Sequence, residues 1–232
     1  MENLNIGQHI SRRYNQELED IRNRVLAMGG LVEQQLKDAM TALEKRDAGL
    51  AAQVVERDCE VNAMEVAIDE ECNRVLARRQ PAASDLRLVV AVIKTITDLE
   101  RIGDEAERIA RMVSTLIGEE HSTRLFTQIR NLGHHVCSMV HGALDAFAHL
   151  DTEKSVEIWS EDRQVDEEYD SLMRELMTYM MEDPRSIPTI LQAMFAARAM
   201  ERIGDRAGNI CEYVIYLVKG KDVRHTKVDD PG

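Results

Sequence analysis

The pentapeptide Glu-Arg-Ile-Gly-Asp occurs twice in this 232-residue chain, at positions 100–104 and 201–205. Each copy lies in a long stretch whose apolar residues recur every three or four positions, the signature of an amphipathic helix. The register extends past the motif. Asp47 matches Asp151, Leu43 matches Phe147, Met40 matches Leu144 and Asp58 matches Asp162, each pair 104 residues apart. Between Glu100 and Glu201 the offset is 101, so the second half is about three residues shorter at one corner. A repeat of this period is one supersecondary unit used twice.

The unit is helical. The chain has only 4 prolines and 4% aromatic residues, and it shows neither strand alternation nor hairpin signals. Its patterning predicts an all-α fold of two tandem, pseudo-symmetric three-helix bundles, six helices in all. Helix 1 is expected from about Gln8 to Glu44, with Gly29-Gly30 predicting a kink. Helix 2 follows an N-cap at Asp47 and runs to about Arg78. Pro81 then makes a corner, and helix 3 runs from about Ser84 to Ile117. In the second half, helix 4 is expected over Ser122–His149, helix 5 over Thr152–Met181 and helix 6 over Ile187–Val218. Pro184 and Pro188 mark the equivalent corner, and Gly220 closes helix 6. The bundles divide the chain into 1–118 and 119–220, with a polar tail at 221–232.

The motif is electrostatically awkward, and that points to its chemistry. With Ile96 set at zero and about 100° per residue, Leu99, Ala106, Ala110 and Ile117 fall at about 300°, the apolar face. Glu107, Glu100 and Asp104 fall between about 20° and 80°, at the margin of that face, with Gly103 beside them. Carboxylates four residues apart on a helix repel, more so where partly desolvated. Arg101 and Arg202 point away at about 140° and are poor partners within their own helices. A second acidic stripe borders the apolar face of helix 2, made of Asp58, Glu65 and Asp69 with Asn62. Helix 5 carries the matching Asp162 and Asp166, with Tyr169 at the Glu65 position. If helices 2 and 3 pack antiparallel, their stripes face each other across a groove, and helices 5 and 6 repeat the arrangement. Clustered oxygen ligands of this kind suit Mg²⁺, Mn²⁺ and Fe ions.

Other chemistry is poorly supported. Carboxylate di-iron bundles place a Glu three residues before a metal-binding His, and none precedes His134, His135, His141 or His149 in that way. No nucleophile is flanked by a base and an orienting group, and no glycine-rich phosphate loop occurs. The formal charge of −13 argues against direct nucleic-acid binding, which needs a basic footprint. Cys59, Cys72, Cys137 and Cys211 show no zinc spacing, and Cys72 and Cys211 fall at core positions. No signal peptide or membrane-length apolar run is visible, so a soluble cytoplasmic protein is expected. Met177, Met180, Met181, Met194 and Met200 predict an adaptable core in helices 5 and 6.

Taken together, two Glu-Arg-Ile-Gly-Asp copies, each about forty residues after Asp-x-x-Val-Asn/Asp, resemble the PhoU family of accessory regulators of phosphate-specific transport. The corner from Arg79 to Arg87 and the ending Gly220-Lys221-Asp222-Val223-Arg224-His225 are also similar to that family. The resemblance covers essentially the whole chain. It implies metal ions (Fe, Zn, Mn or Mg) held at the motif acids, here Glu100, Asp104, Glu201 and Asp205. Asp58, Asp162 and Asp166 are expected as co-ligands from the facing stripes, with Glu65 and Glu107 at their margins. The resemblance further implies a non-enzymatic negative regulator, acting as an adaptor between a sensor histidine kinase and the phosphate ABC-transporter ATPase. A homodimer associating peripherally with these membrane complexes, without direct nucleic-acid contact, completes the expectation. Two alternatives stand beside it, a metal-dependent carboxylate-bundle enzyme and a purely structural helical interaction protein.

Overall fold

Each long amphipathic stretch forms a helix because one stripe of it can be buried. In the computed structural model, which describes residues 12–116 and 123–223, the elements are α1 (Arg12–Lys45), α2 (Ala48–Arg79), α3 (Ala83–Leu116), α4 (Thr123–His149), α5 (Thr152–Glu182) and α6 (Ile187–Lys219). A 3₁₀ turn at Pro184–Ser186 leads into α6. No strand occurs among the described residues, so the fold is all-α, as the periodicity predicts. The expected ends at residues 8–11, 117 and 122, and the tail beyond Val223, lie outside the described residues.

The duplication is visible in the turns. Asp47 caps α2 by accepting from the Leu50 amide at 3.0 Å, and Asp151 caps α5 by accepting from the Glu153 and Lys154 amides at 3.0 Å. Just before them, Arg46 and Leu150 take left-handed φ values of 53° and 54°. The amides of Asp47 and Asp151 then donate to the carbonyls of Ala42 and Ala146 at 2.9 and 3.0 Å. The same ring thus closes both corners and satisfies carbonyls that a helix end would otherwise leave unpaired.

Within each half the three helices pack on one another, but the halves share more than a boundary. α3 and α6 form the most extensive helix pairing in the molecule, and α1 also packs against α4. The apolar cluster is continuous through both halves. α6 is buried on two sides, with Ala193, Ala197, Met200, Gly204, Ala207 and Cys211 among its many inaccessible residues. A helix apolar on more than one face is a central one. Among the described residues no helix is long and apolar enough to cross a membrane.

Two details correct the sequence expectations, and a third adds to them. α1 is one continuous helix through Gly29-Gly30, and Gly29 serves close approach: a Cβ built there would lie 2.5 Å from Leu144 Cδ2 of α4. Met177 and Met181 are exposed on α5, at 47% and 77%, whereas Met200 lies in the core. Finally, the ending is not uniformly polar and free, because Val223 is buried.

Candidate metal-binding grooves

Helices α2 and α3 bring the first acidic stripe together. Asp58 is 7% exposed, and its two oxygens accept from Gln35 Nε2 and Asn62 Nδ2, both at 3.0 Å. Glycine at 103 makes this possible. A Cβ there would sit 3.2 Å from Gln35 Oε1 and 3.4 Å from Asp58 Oδ1, tight against both. Glu65 faces α3 from one side, with Thr97 Oγ1 at 3.5 Å from its Oε1.

The carboxylates feel one another. Burial, then Asp104 and Glu65, raise Glu100 above the usual carboxylate range. Burial, then Asp58 and Glu107, raise Asp104. Like charges partly removed from water favour the protonated form, so these shifts place Asp58, Glu65, Glu100, Asp104 and Glu107 in one electrostatic neighbourhood. Glu107 is the most compensated of the five, since Arg111 pairs with it one turn along.

Helices α5 and α6 build the second groove. Asp162 is pushed up to about 6 by burial, then by Asp205 and Asp166. Partial desolvation, then Asp166, raises Asp205, although much of its side chain still meets solvent. Glu201 is 9% exposed and is raised by burial and then by Asp205. Its Oε1 accepts from Arg198 Nη1 at 2.7 Å. The Arg198 guanidinium lies over the Tyr169 ring, 5.7 Å from its centroid. The structure therefore groups nine of the acids singled out from the sequence into two sets, one in each half, whereas Asp69 of the helix 2 stripe accepts from Asn73 Nδ2 of its own helix at 2.9 Å.

Several functional neighbours were missed by the sequence reading. Gln35 comes from α1, a helix assigned no role in the groove. Its signal was a polar residue within the apolar stripe that contains Val32 and Leu36. Arg198 and Thr97 were missed because a helical wheel shows only which face a residue occupies. Arg202, excluded as a partner within its own helix, finds one in another, as does Arg206. Arg202 Nη1 donates to Glu105 Oε1 at 3.0 Å, and Arg206 Nη1 donates to Asp98 Oδ1 at 3.2 Å. Tyr213 OH donates to Asp98 Oδ2 at 2.8 Å. These bonds form a polar seam between α3 and α6.

Among the described residues, histidines of α4 pair with acids other than the nine groove acids. His141 Nδ1 lies 3.0 Å from Glu33, His134 Nε2 lies 3.2 Å from Glu44, and His135 Nδ1 lies 3.1 Å from Glu168. Cys72 and Cys211 are fully buried, and burial raises both thiols, Cys72 to about 12.

The grooves fit a hard cation chemically. Among the described residues, no three His, Cys, Asp or Glu side chains already converge as a metal cage. Of the buried acceptor oxygens without a hydrogen-bond partner among the described residues, three nevertheless lie in the grooves: Gln35 Oε1 and Asn62 Oδ1 in the first, and Glu201 Oε2 in the second. Buried acceptors without donors are unfavourable, and carboxylate and amide oxygens are the donor set of Mg²⁺, Mn²⁺ and related ions. In the first groove Asp58, Glu65, Glu100 and Asp104 would hold such an ion. In the second, Asp162, Asp166, Glu201 and Asp205 would do so.

Comparison with known proteins covers both halves. The PhoU domain family model matches residues 25–113 and again 129–214. The phosphate-specific transport system accessory protein PhoU of Serratia marcescens is 55% identical over 225 residues, covering 97% of this chain and 92% of that protein. The protein of the same description from Escherichia coli K12 is 53% identical over 230 residues, covering 99% and 95%. The crystal structure of PhoU from Pseudomonas aeruginosa superposes with a TM-score of 0.87 at 54% identity, covering 90% of this chain and 100% of that one. The phosphate transport system regulatory protein PhoU from Streptococcus pneumoniae gives a TM-score of 0.83 at 32% identity, covering 90% and 99%. With its duplicated motif, its paired three-helix units and its near-full-length relatives all in agreement, the chain belongs to the PhoU family.

Proposed function

We propose that this chain is a negative regulator of phosphate uptake and of the phosphate-starvation response. It bridges the phosphate ABC-transporter ATPase and a sensor histidine kinase at the inner face of the membrane. When phosphate is plentiful, it holds the kinase inactive and restrains the transporter. The observation that carries this reading is identity above 50% over more than nine-tenths of relatives named as accessory proteins of phosphate-specific transport. Such a role rests on surfaces and not on bond-breaking chemistry. The paired bundles supply a large, rigid helical surface, and a homodimer would double it.

Metal ions held between α2 and α3, and between α5 and α6, belong to the same proposal. When bound, such an ion supplies positive charge where each groove crowds its carboxylates. The chain's own residues orient the acids: Gln35 and Asn62 fix Asp58, and Gly103 leaves α2 and α3 close together. Relief of carboxylate repulsion would set the spacing of the helix pair, and with it the outer surface offered to partners.

Expression in a bacterium deleted for its own PhoU tests the regulatory role. Restored repression of a starvation reporter in excess phosphate, with co-purification of the kinase and the ATPase, is the expected outcome. Constitutive reporter activity despite normal protein levels would refute it. Metal content is tested separately, on protein purified without chelator and on a variant with alanine at Glu100, Asp104, Glu201 and Asp205. Equal metal in both proteins would remove the grooves as sites.

A further inference from the structure

Among the matched positions at which the two grooves differ, one pair bears directly on a motif acid. Across the duplication, Glu65 corresponds to Tyr169 and Thr97 to Arg198, at the offsets of 104 and 101 that relate the halves. In the first groove the pair is a carboxylate with a neutral hydroxyl 3.5 Å away. In the second it is an aromatic ring with a guanidinium stacked over it at 5.7 Å. The guanidinium is also bonded to the motif acid Glu201 at 2.7 Å. Asp166 at the Asn62 position offsets the carboxylate lost at Tyr169, and the second groove carries a guanidinium bonded to its motif acid where the first has a hydroxyl.

The first groove is organised in the opposite sense. Asp58 is clamped from both sides by the amides of Gln35 and Asn62, and those amides keep oxygens without donors, Gln35 Oε1 on a side chain only 4% exposed. The matched positions in the second half are Met139 and Asp166, neither of which is an amide. Glu201 is held differently: Arg198 takes Oε1, and the buried Oε2 is left without a donor beside its acidic neighbours.

We propose that the grooves are unequal metal sites: the α2–α3 groove takes a divalent cation directly, whereas in the α5–α6 groove Arg198 is a built-in cation that the metal must displace. This inference rests on the reading of both grooves as metal sites. The first groove therefore fills at the lower metal concentration, and the second responds only when metal is more abundant. Arg198 suits this role because an arginine can pair with a carboxylate and stack on an aromatic ring at the same time. Its side chain is 49% exposed, so it can leave for solvent.

Titration calorimetry of the chelator-stripped full-length chain with MnCl₂ tests the assignment. Two classes of site are expected in the wild type. Glu100→Ala/Asp104→Ala should remove the tight class, and Glu201→Ala/Asp205→Ala the weak one; the reverse assignment would overturn the proposal. Arg198→Thr should tighten the weak class at least tenfold and leave the tight class unchanged. The reciprocal change, Glu65→Tyr with Thr97→Arg, should weaken the tight class at least tenfold. Arg198→Lys keeps the charge but lacks the planar face, and should fall between wild type and Arg198→Thr. It provides the same test should the threonine variant fold poorly by circular dichroism. Equal affinities in the wild type, or no tightening on removing Arg198, would defeat the inference while leaving the metal reading intact. No Mn²⁺ uptake by either wild type or Arg198→Thr would defeat both.

Discussion

Gly29 of α1 and Leu144 of α4 meet so closely that a Cβ on Gly29 would lie 2.5 Å from Leu144 Cδ2. The same contact recurs with the halves exchanged: a Cβ on Gly133 would lie 2.0 Å from Met40 Cε. Gly133 is Gly29 moved by 104 residues, and Leu144 is Met40 moved by 104. The halves are therefore related by an approximate twofold, with each glycine receiving the other half's large side chain. Overfilling this contact should destabilise the protein, and Gly29→Val is expected to lose about 2–3 kcal/mol. Leu144→Ala alone should lose a similar amount, about 2–3 kcal/mol, through its cavity. In the double variant the losses should fall short of additivity by about 1–2 kcal/mol. Denaturant unfolding of the four proteins measures this coupling, and a value near zero would mean that the halves do not pack through this pair.

Asp98 anchors the polar seam between α3 and α6. It is 3% exposed and accepts from both Arg206 and Tyr213. Its register partner in the second half is Ala199, so the twofold is broken here by charge. Asp98→Ala leaves a tyrosine hydroxyl and a guanidinium at the centre of the largest helix contact, and should lower stability by about 2–3 kcal/mol. Tyr213→Phe removes one bond and should lose about 1 kcal/mol. Thermal melts at pH 7.5 would show this ranking; equal effects of the two changes would contradict it.

The second groove should register in the pH dependence of the metal-free protein. Asp162 rises from 3.8 to about 6, through burial first and then Asp205 and Asp166. A raised acid holds a proton in the folded chain that the unfolded chain has released. Its stabilising contribution is full below pH 3.8 and is lost as pH rises through about 6. Asp162→Asn should therefore be more stable than wild type at pH 7.5 in chelator, by about 1 kcal/mol once solvent screening reduces the full shift. The advantage should shrink steadily toward pH 4. Melting curves across this range provide the check, and an advantage independent of pH would dissociate Asp162 from the effect.

Much of this architecture was legible in the chain because it depends on local periodicity. Leu18, Ile21, Val25, Met28, Val32, Leu36, Met40 and Leu43 step by three and four along the chain, the spacing of one helical stripe, and all are buried. Asp47 was read as a cap and accepts the expected amide bond. The motif acids of each copy lie together because residues four apart on a helix share a face whatever packs against it. Gly29 is the complementary case. A helical glycine looks the same along the chain whether or not a neighbour enters beside it, and only the position of Leu144 shows that one does.

The sequence by itself determined the helices, their duplication, their buried stripes and the acids that border them. All of these follow from dihedral preference and from the hydrophobic effect acting along one segment. Tertiary structure alone decided which charges are compensated across helices: Arg202 by Glu105, Arg206 by Asp98, and Arg198 by the Tyr169 ring beneath it. Coulomb and cation–π interactions depend on distances between side chains, and most of these distances are fixed when one helix packs on another.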